Sequence, residues 1–243
     1  MQTNDHLILV SGKSATGKSA SLLNIINPEG VIYFNCENGK KLPFKSKFKE
    51  FIITDPTQIY QGFAEAEKMP EVHTIVIDTL TYLMDLYESS RVLNAANTMK
   101  AWGEYAQYMK VMMSQVVAPS TKNVIFLAHT SDILNEAEMI NETVVKVKGS
   151  LMNQGIESFF TTVISTKKVP ISKFTDKVTK ESELFAITDE EETQGFKYVF
   201  QTRLTKETVN ERIRSPMGMW ASNETYIDNN LQVVIDRLHN YYS

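Results

Sequence analysis

A chain of 243 residues, 42% hydrophobic and 22% charged, has the make-up of a soluble globular protein with enough apolar side chains for a sizeable core. Its net charge of −4 excludes a protein that coats nucleic acid by bulk charge, so any such contact has to come from local patches. A single cysteine, Cys36, excludes an internal disulfide and suits a reducing compartment. No apolar run reaches the length of a membrane span and no signal-peptide pattern precedes the first strand, so a cytoplasmic protein without a membrane partner is expected. Without a Pro/Gly/Ser-rich linker, residues 1–243 are expected to form one domain.

Leu7-Ile8-Leu9-Val10 reads as a buried strand and runs into Gly12-Lys13-Ser14-Ala15-Thr16-Gly17-Lys18-Ser19, a complete G-x-x-x-x-G-K-[ST] phosphate loop. Gly12 and Gly17 let the backbone close on a triphosphate and turn successive N–H groups inward as an anion nest. Lys18 to Leu23 reads as a helix whose N-terminus adds partial positive charge. Lys18 is then a ligand of the β- and γ-phosphates. Ser19 offers its hydroxyl to Mg2+, a cation that takes oxygen ligands and shares them with phosphate.

Val31-Ile32-Tyr33-Phe34-Asn35-Cys36 is the next strand, and it closes on Glu37-Asn38-Gly39. A carboxylate at a strand end faces the crevice where open α/β sheets bind ligand, which makes Glu37 a candidate catalytic base; a solvated loop acid is the alternative. Lys40, Lys41, Lys45, Lys47 and Lys49 follow as a basic patch or a solvated loop. Phe51 to Ile53 is a short strand and Gln58 to Met69 a helix. Thr74-Ile75-Val76-Ile77-Asp78 has the continuous apolar run of a parallel strand buried on both faces, and it ends on an acid able to hold Mg2+ opposite Ser19. Leu80 to Tyr87 is helical and Glu88 to Asn97 polar. Ala101 to Val117 is a longer helix whose Tyr105, Met109, Met112, Met113 and Val116 share a core-facing side. Val124 to Ala128 is a strand tipped by His129-Thr130, where His129 is either a γ-phosphate sensor or a structural histidine. Ser131 to Ile156 turns polar and mixed, a long connection that is functional or disordered. Phe159 to Ser165 resumes as a strand. Leu184 to Ile187 and Tyr198 to Arg203 read as an antiparallel pair around the acidic tip Asp189-Glu190-Glu191-Glu192. Leu231, Val234, Ile235 and Leu238 mark a closing amphipathic helix.

A phosphate loop followed by strand-end Glu37, strand-end Asp78 and a polar tip at His129 resembles the RecA-like P-loop NTPase core. The resemblance implies a mostly parallel central sheet flanked by helices with an antiparallel edge, ATP and Mg2+ as cofactors, and Glu37 as the water-activating residue. The stretch from Gly149 to Lys168 is similar to that family's second DNA-binding loop and next strand, with Lys146 and Lys148 as candidate DNA contacts just ahead of it. The segment from Thr202 to Pro216 is similar to the late strand and loop whose basic residue completes a neighbour's active site, here Arg212, with Arg214 and Lys206 as alternatives. A core that starts its first strand at Leu7, ends soon after its last helix and carries histidine where the recombinases carry glutamine resembles the small bacteriophage recombination ATPases, the fourth Sak group of single-strand annealing proteins. That implies an ATPase acting on single-stranded DNA in the host cytoplasm, with homo-oligomers and a single-strand binding protein as partners. Two other readings stay open: a non-enzymatic nucleotide-switched DNA-binding protein, against which Glu37 speaks, and a small-molecule phosphotransferase, for which no basic lid is visible.

Overall fold

The computed structural model describes residues 4–136, 138–174 and 182–243. Among them nine strands join in one sheet: β1 (Leu7–Gly12), β2 (Val31–Asn35), β3 (Lys49–Ile52), β4 (Thr74–Asp78), β5 (Asn123–Asn135), β6 (Ile140–Val145), β7 (Thr162–Pro170), β8 (Phe196–Gln201) and β9 (Tyr226–Asp228). Their spatial order is β3-β2-β4-β5-β1-β7-β8-β9, with β6 paired to the far end of β5. Every neighbouring pair from β3 to β7 is parallel, and β8 and β9 add an antiparallel edge. The fold is therefore the mostly parallel α/β sheet that a phosphate loop between apolar strands implies.

Alternation along the central strands sorts side chains onto two faces. Leu7, Leu9, Ile75, Ile77, Val124 and Phe126 join one core with Phe63 of α1 (Gln58–Glu67), Leu83 of α2 (Leu80–Tyr87) and Tyr105 and Met109 of α3 (Thr98–Val111). Ile8, Val10, Val76, Ile125 and Leu127 form a second core with Leu231, Val234 and Leu238 of the C-terminal helix Leu231–Tyr242. Two covered faces are what allow β1 and β4 to be apolar along their length. Side-chain caps start three of these helices: Thr79 accepts from the Tyr82 N–H, Asn97 from Lys100 and Asn230 from Gln232. Among the described residues no helix is long and apolar enough to cross a membrane.

The structure departs from the sequence expectations in several elements. Lys18 to Leu23 forms no α-helix, and Ser19–Leu22 is a single 3-10 turn. The Ser21 hydroxyl donates back to the Lys18 carbonyl at 2.6 Å, and Asn27, in the left-handed region just before Pro28, prevents a continuation. The loop's positive field thus comes from its own N–H groups and from Lys18 rather than from a helix macrodipole. Ser131 to Ile156 is not one long connection, because β5 carries on to Asn135 and pairs with β6 as a hairpin, Thr130 opposite Val145 and Asn135 opposite Ile140. Leu184 to Ile187 is not a strand; the antiparallel partners of β8 are β7, with Lys167 opposite Val199, and β9, with Phe200 opposite Ile227. The acidic tip is the start of a helix, Asp189–Gln194, since Thr188 and Glu191 form a capping box and acids suit a helix N-terminus.

Two glycines test the packing of these layers. A Cβ on Gly62 of α1 would meet Cζ of the buried Phe34 ring at 2.3 Å, whereas a Cβ on Gly103 of α3 would meet nothing within 4 Å among the described residues. Gly62→Ala is expected to destabilise the fold by about 1–3 kcal/mol through overpacking. Gly103→Ala is expected to stabilise it by up to about 1 kcal/mol through helix propensity. Urea unfolding of both variants checks the opposite signs, and a stabilising effect at Gly62 would refute the close approach of α1 to β2.

Candidate nucleotide site

Parallel register brings four strand ends together. Gly12 of β1 lies opposite His129 of β5, and Asp78 of β4 lies between Leu127 of β5 and Asn35 of β2. The chain leaves β1 as the phosphate loop and β2 as the Glu37 turn. Loop, Asp78, His129 and Glu37 therefore surround one cleft at the C-terminal edge of the parallel strands, where such sheets bind ligands. Its volume is about 320 Å3, and residues 14–20 line it together with Tyr33, Glu37, Lys40, Asp78, His129 and Tyr198.

The two loop glycines answer to different neighbours. A Cβ on Gly12 would run into Thr166 Oγ1 of β7 at 2.2 Å, so this glycine lets strand and loop close up, and the Thr16 and Thr166 hydroxyls meet there at 2.6 Å. Gly17 has φ +95°, and its carbonyl accepts from Asn229 Nδ2 at 2.8 Å, which ties the loop to the segment ahead of the C-terminal helix. Lys18 is only 6% exposed. Its ammonium donates to the carbonyls of Gly12 at 3.0 Å and Lys13 at 2.7 Å. Burial lowers its pKa to about 8, against the opposing pull of Asp78 and Glu37. A desolvated cation held by neutral carbonyls gains by exchanging them for phosphate oxygens, whose bonds are charge-assisted.

Asp78 is 2% exposed. Its Oδ2 accepts from Ser19 Oγ and from Tyr33 OH, each at 2.7 Å, while Oδ1 is buried with no hydrogen-bond partner among the described residues. Burial raises the carboxyl pKa, and the two hydroxyls pull it the other way. A buried acceptor without a donor is costly unless a cation or donor meets it. Hydroxyl and carboxylate oxygens side by side suit Mg2+. Among the described residues no group of three or more His, Cys, Asp or Glu could hold a metal, so an ion at Ser19 and Asp78 needs phosphate oxygens to complete its shell.

Glu37 is positioned by a buried amide. Its N–H donates to Asn35 Oδ1 at 3.0 Å, and Asn35 Nδ2 donates to the Lys40 carbonyl at 2.9 Å and to Glu50 Oε1 at 2.7 Å. Asn38 at φ 53° and Gly39 at φ 75° complete the reversal. The turn carries Lys40 back over Glu37, with Nζ 2.8 Å from Oε2, while His129 Nε2 lies 3.5 Å from Oε1. The His129 ring and then the Lys40 ammonium hold the Glu37 carboxyl down at about 2, although partial burial pulls upward. Held so, it is a weak base.

The family described as AAA domain matches residues 5–202, a span that contains every residue of this cleft. The chain belongs to the AAA-domain family. No curated protein matches it. An AAA domain is a P-loop ATPase-type domain, so nucleotide is the ligand class of the cleft.

The other expected site residues lie outside the cleft of this AAA domain. Lys146 is exposed just after β6, and its N–H donates to the His129 carbonyl at 2.8 Å. Lys148 pairs with Glu88 and, at 3.5 Å, with Asp85. The Arg212 guanidinium, beyond the matched span, is bonded to Glu157 at 3.2 Å and Glu142 at 3.3 Å. Sequence reasoning missed Tyr33 and Asn35, although Tyr33-x-Asn35-x-Glu37 alternates on one face of β2 and its extension, a pattern visible in the residues themselves. It also treated Lys40 only as part of a basic patch. Two other lysines of that stretch are paired as well, Lys41 with Glu50 at 3.8 Å and Lys49 with Glu71 at 2.9 Å.

The depressed pKa of Lys18 leaves a signature in stability. Between about 8 and the ordinary 10.5, the unfolded chain keeps the Lys18 proton that the folded domain has released, so this group's contribution to stability rises with pH across that window. Lys18→Met removes the buried charge. Its melting temperature should exceed that of the wild type most at pH 7, with the gap closing toward pH 10.5. A gap that stays constant across the window would show that Lys18 carries no desolvation cost.

Proposed function

We propose that the chain is an Mg2+-dependent RecA-like ATPase whose turnover is coupled to single-stranded DNA, like the bacteriophage recombination ATPases it resembles. One observation carries the ATPase part: Asp78, buried and tied by one oxygen to Ser19, keeps its other oxygen unpartnered beside the phosphate loop. In this reading Lys18 leaves the Gly12 and Lys13 carbonyls for the β- and γ-phosphates, and the remaining loop residues cradle the triphosphate with their N–H groups. Ser19 and Asp78 hold Mg2+, which when bound neutralises charge on the phosphate oxygens. Glu37 orients the attacking water and accepts its proton. His129, in contact with Glu37, responds to the γ-phosphate.

Two connections support the DNA part. The His129 carbonyl is the acceptor of the Lys146 N–H, so a shift at the His129 position of β5 displaces the segment that carries Lys146 and Lys148. Lys13 of the loop reaches Asp132 at 2.7 Å, and Asp132 accepts from Thr143 Oγ1 at 2.8 Å, which couples the loop to the β5–β6 hairpin. Assembly belongs to the same reading: a second copy supplies a basic residue to the cleft, Arg212 first and Arg214 or Lys206 next, and Arg212 has to leave Glu142 and Glu157 to do so. A single-strand binding protein and the host cytoplasm complete the proposal. The clamp on Glu37 favours one rival, a nucleotide switch that binds DNA without turnover.

Phosphate release with and without single-stranded DNA separates them. Glu37→Gln keeps the shape of the side chain and removes its basicity, so ATP binding should survive while hydrolysis slows about a hundredfold or more. Wild-type turnover that DNA stimulates and the substitution abolishes is the expected result. ATP binding without turnover in either protein would establish the switch, and unchanged turnover in Glu37→Gln would remove Glu37 from the chemistry. In fluorescence anisotropy, a labelled oligonucleotide should bind more tightly with a non-hydrolysable ATP analogue than with ADP. Replacing Lys146 and Lys148 with alanine should weaken that binding, and equal affinity in all four conditions would exclude DNA from this segment.

A further inference from the structure

Lys40 brings a second cation to the cleft beside Lys18, and its ammonium is engaged there by Glu37. Its backbone is built in: the N–H donates to the Glu37 carbonyl at 3.1 Å and the carbonyl accepts from buried Asn35. Its side chain is not, being 73% exposed with the ammonium resting on the Glu37 carboxylate. A rigid base under a mobile four-carbon stem places a charge that can swing within a small radius. The electrostatics of the cleft give it somewhere to go. The Glu37 carboxylate lines the same cleft as the phosphate loop, so the terminal phosphate of a triphosphate enters against its repulsion. Lys41 also lines the cleft but lies 3.8 Å from Glu50 and pairs with neither Glu37 nor Asp78 among the described residues.

Resting on the ATPase reading above, we infer that Lys40 is a second γ-phosphate ligand supplied by the same chain, which moves from Glu37 to the terminal phosphate when ATP, but not ADP, occupies the cleft. An ammonium has three donors, so the move can pass through an arrangement that holds both oxyanions. The consequence for Glu37 is direct. Its carboxyl lies at about 2 under the combined hold of His129 and Lys40. Transfer of Lys40 to phosphate removes one of the two and makes the carboxylate a better acceptor for the proton of water. The clamp then withholds hydrolysis until a triphosphate is in place, instead of preventing it. The competing account makes Lys40–Glu37 an ordinary surface ion pair, with little effect on stability and none on nucleotide choice.

The test titrates fluorescent analogues of ATP, in a non-hydrolysable form, and of ADP onto wild type, Lys40→Gln and Lys40→Arg, with melting curves to verify the fold. Lys40→Gln is expected to lose about tenfold or more in ATP affinity, the equivalent of one charge-assisted hydrogen bond. Its ADP affinity should stay within about twofold, and Lys40→Arg should restore most of the preference for ATP. An unchanged ratio of ATP to ADP affinity in folded Lys40→Gln, or an equal fall in both, would overturn the assignment. A wild type that binds neither nucleotide would instead overturn the ATPase reading itself, an outcome distinct from a wild type that binds ATP and a Lys40→Gln variant that binds it equally well.

Discussion

Asp78 stands at the end of β4 with Oδ2 accepting two hydroxyl bonds and Oδ1 accepting none from the described residues. Removing a carboxylate from water costs several kcal/mol in a protein interior, and the cost is recovered only when both oxygens find partners. The two hydroxyls come from different parts of the chain, Ser19 from the phosphate loop and Tyr33 from β2. Register makes the second possible: Tyr33 lies opposite Val76, and its ring reaches the diagonal neighbour two residues on, which is Asp78. One oxygen thus fastens loop, β2 and β4 together at the cleft that Asp78 and Ser19 line.

Around that carboxylate the other charged groups are engaged within the chain by contacts weaker than those a triphosphate offers. Lys18 lies on two neutral carbonyls, and Glu37 is held by Lys40 and approached by His129. In the proposed ATPase these side-chain contacts are the ones exchanged for bonds to a phosphate oxygen or an attacking water, while the backbone turns that carry them stay in place. Asn35 fixes the Glu37 turn, and Gly12 against Thr166 and Gly17 against Asn229 fix the phosphate loop. In the proposed ATPase reading, this division between fixed backbone and side-chain contacts favours interactions that strengthen as charge develops.

The residue pattern was legible where burial alone decides the structure. β1, β2 and β4 are apolar runs covered on both faces, and spacing within the phosphate loop was enough to place Lys18 and Ser19 beside the acids at the ends of the next strands. The β5–β6 hairpin was not legible: past Ala128 the strand carries His129, Ser131 and Asp132, a polar run held by ladder hydrogen bonds and by Lys13 rather than by a core. Leu184 to Ile187 looked like a strand because Phe185 is buried, yet its burial is against Phe174 in a small satellite cluster, ring centroids 4.8 Å apart, with no ladder partner required. The helix Asp189–Gln194 was announced by Thr188 and Glu191 at capping-box spacing, a signal outweighed by the run of acids. Tyr33, Asn35 and Lys40 acquire their roles from neighbours across the sheet or around a turn with positive φ, and these relations exist only in three dimensions.

In the proposed ATPase, Asp78 and Ser19 hold a Mg2+ ion whose shell the nucleotide completes. The most direct test is calorimetric titration of a non-hydrolysable ATP analogue, with Mg2+ and with a chelator, into wild type and Asp78→Asn. Mg2+ should tighten binding to the wild type, and Asp78→Asn should keep the metal-free affinity while losing the increment that Mg2+ adds. An increment of equal size in both proteins would show that Asp78 does not hold Mg2+.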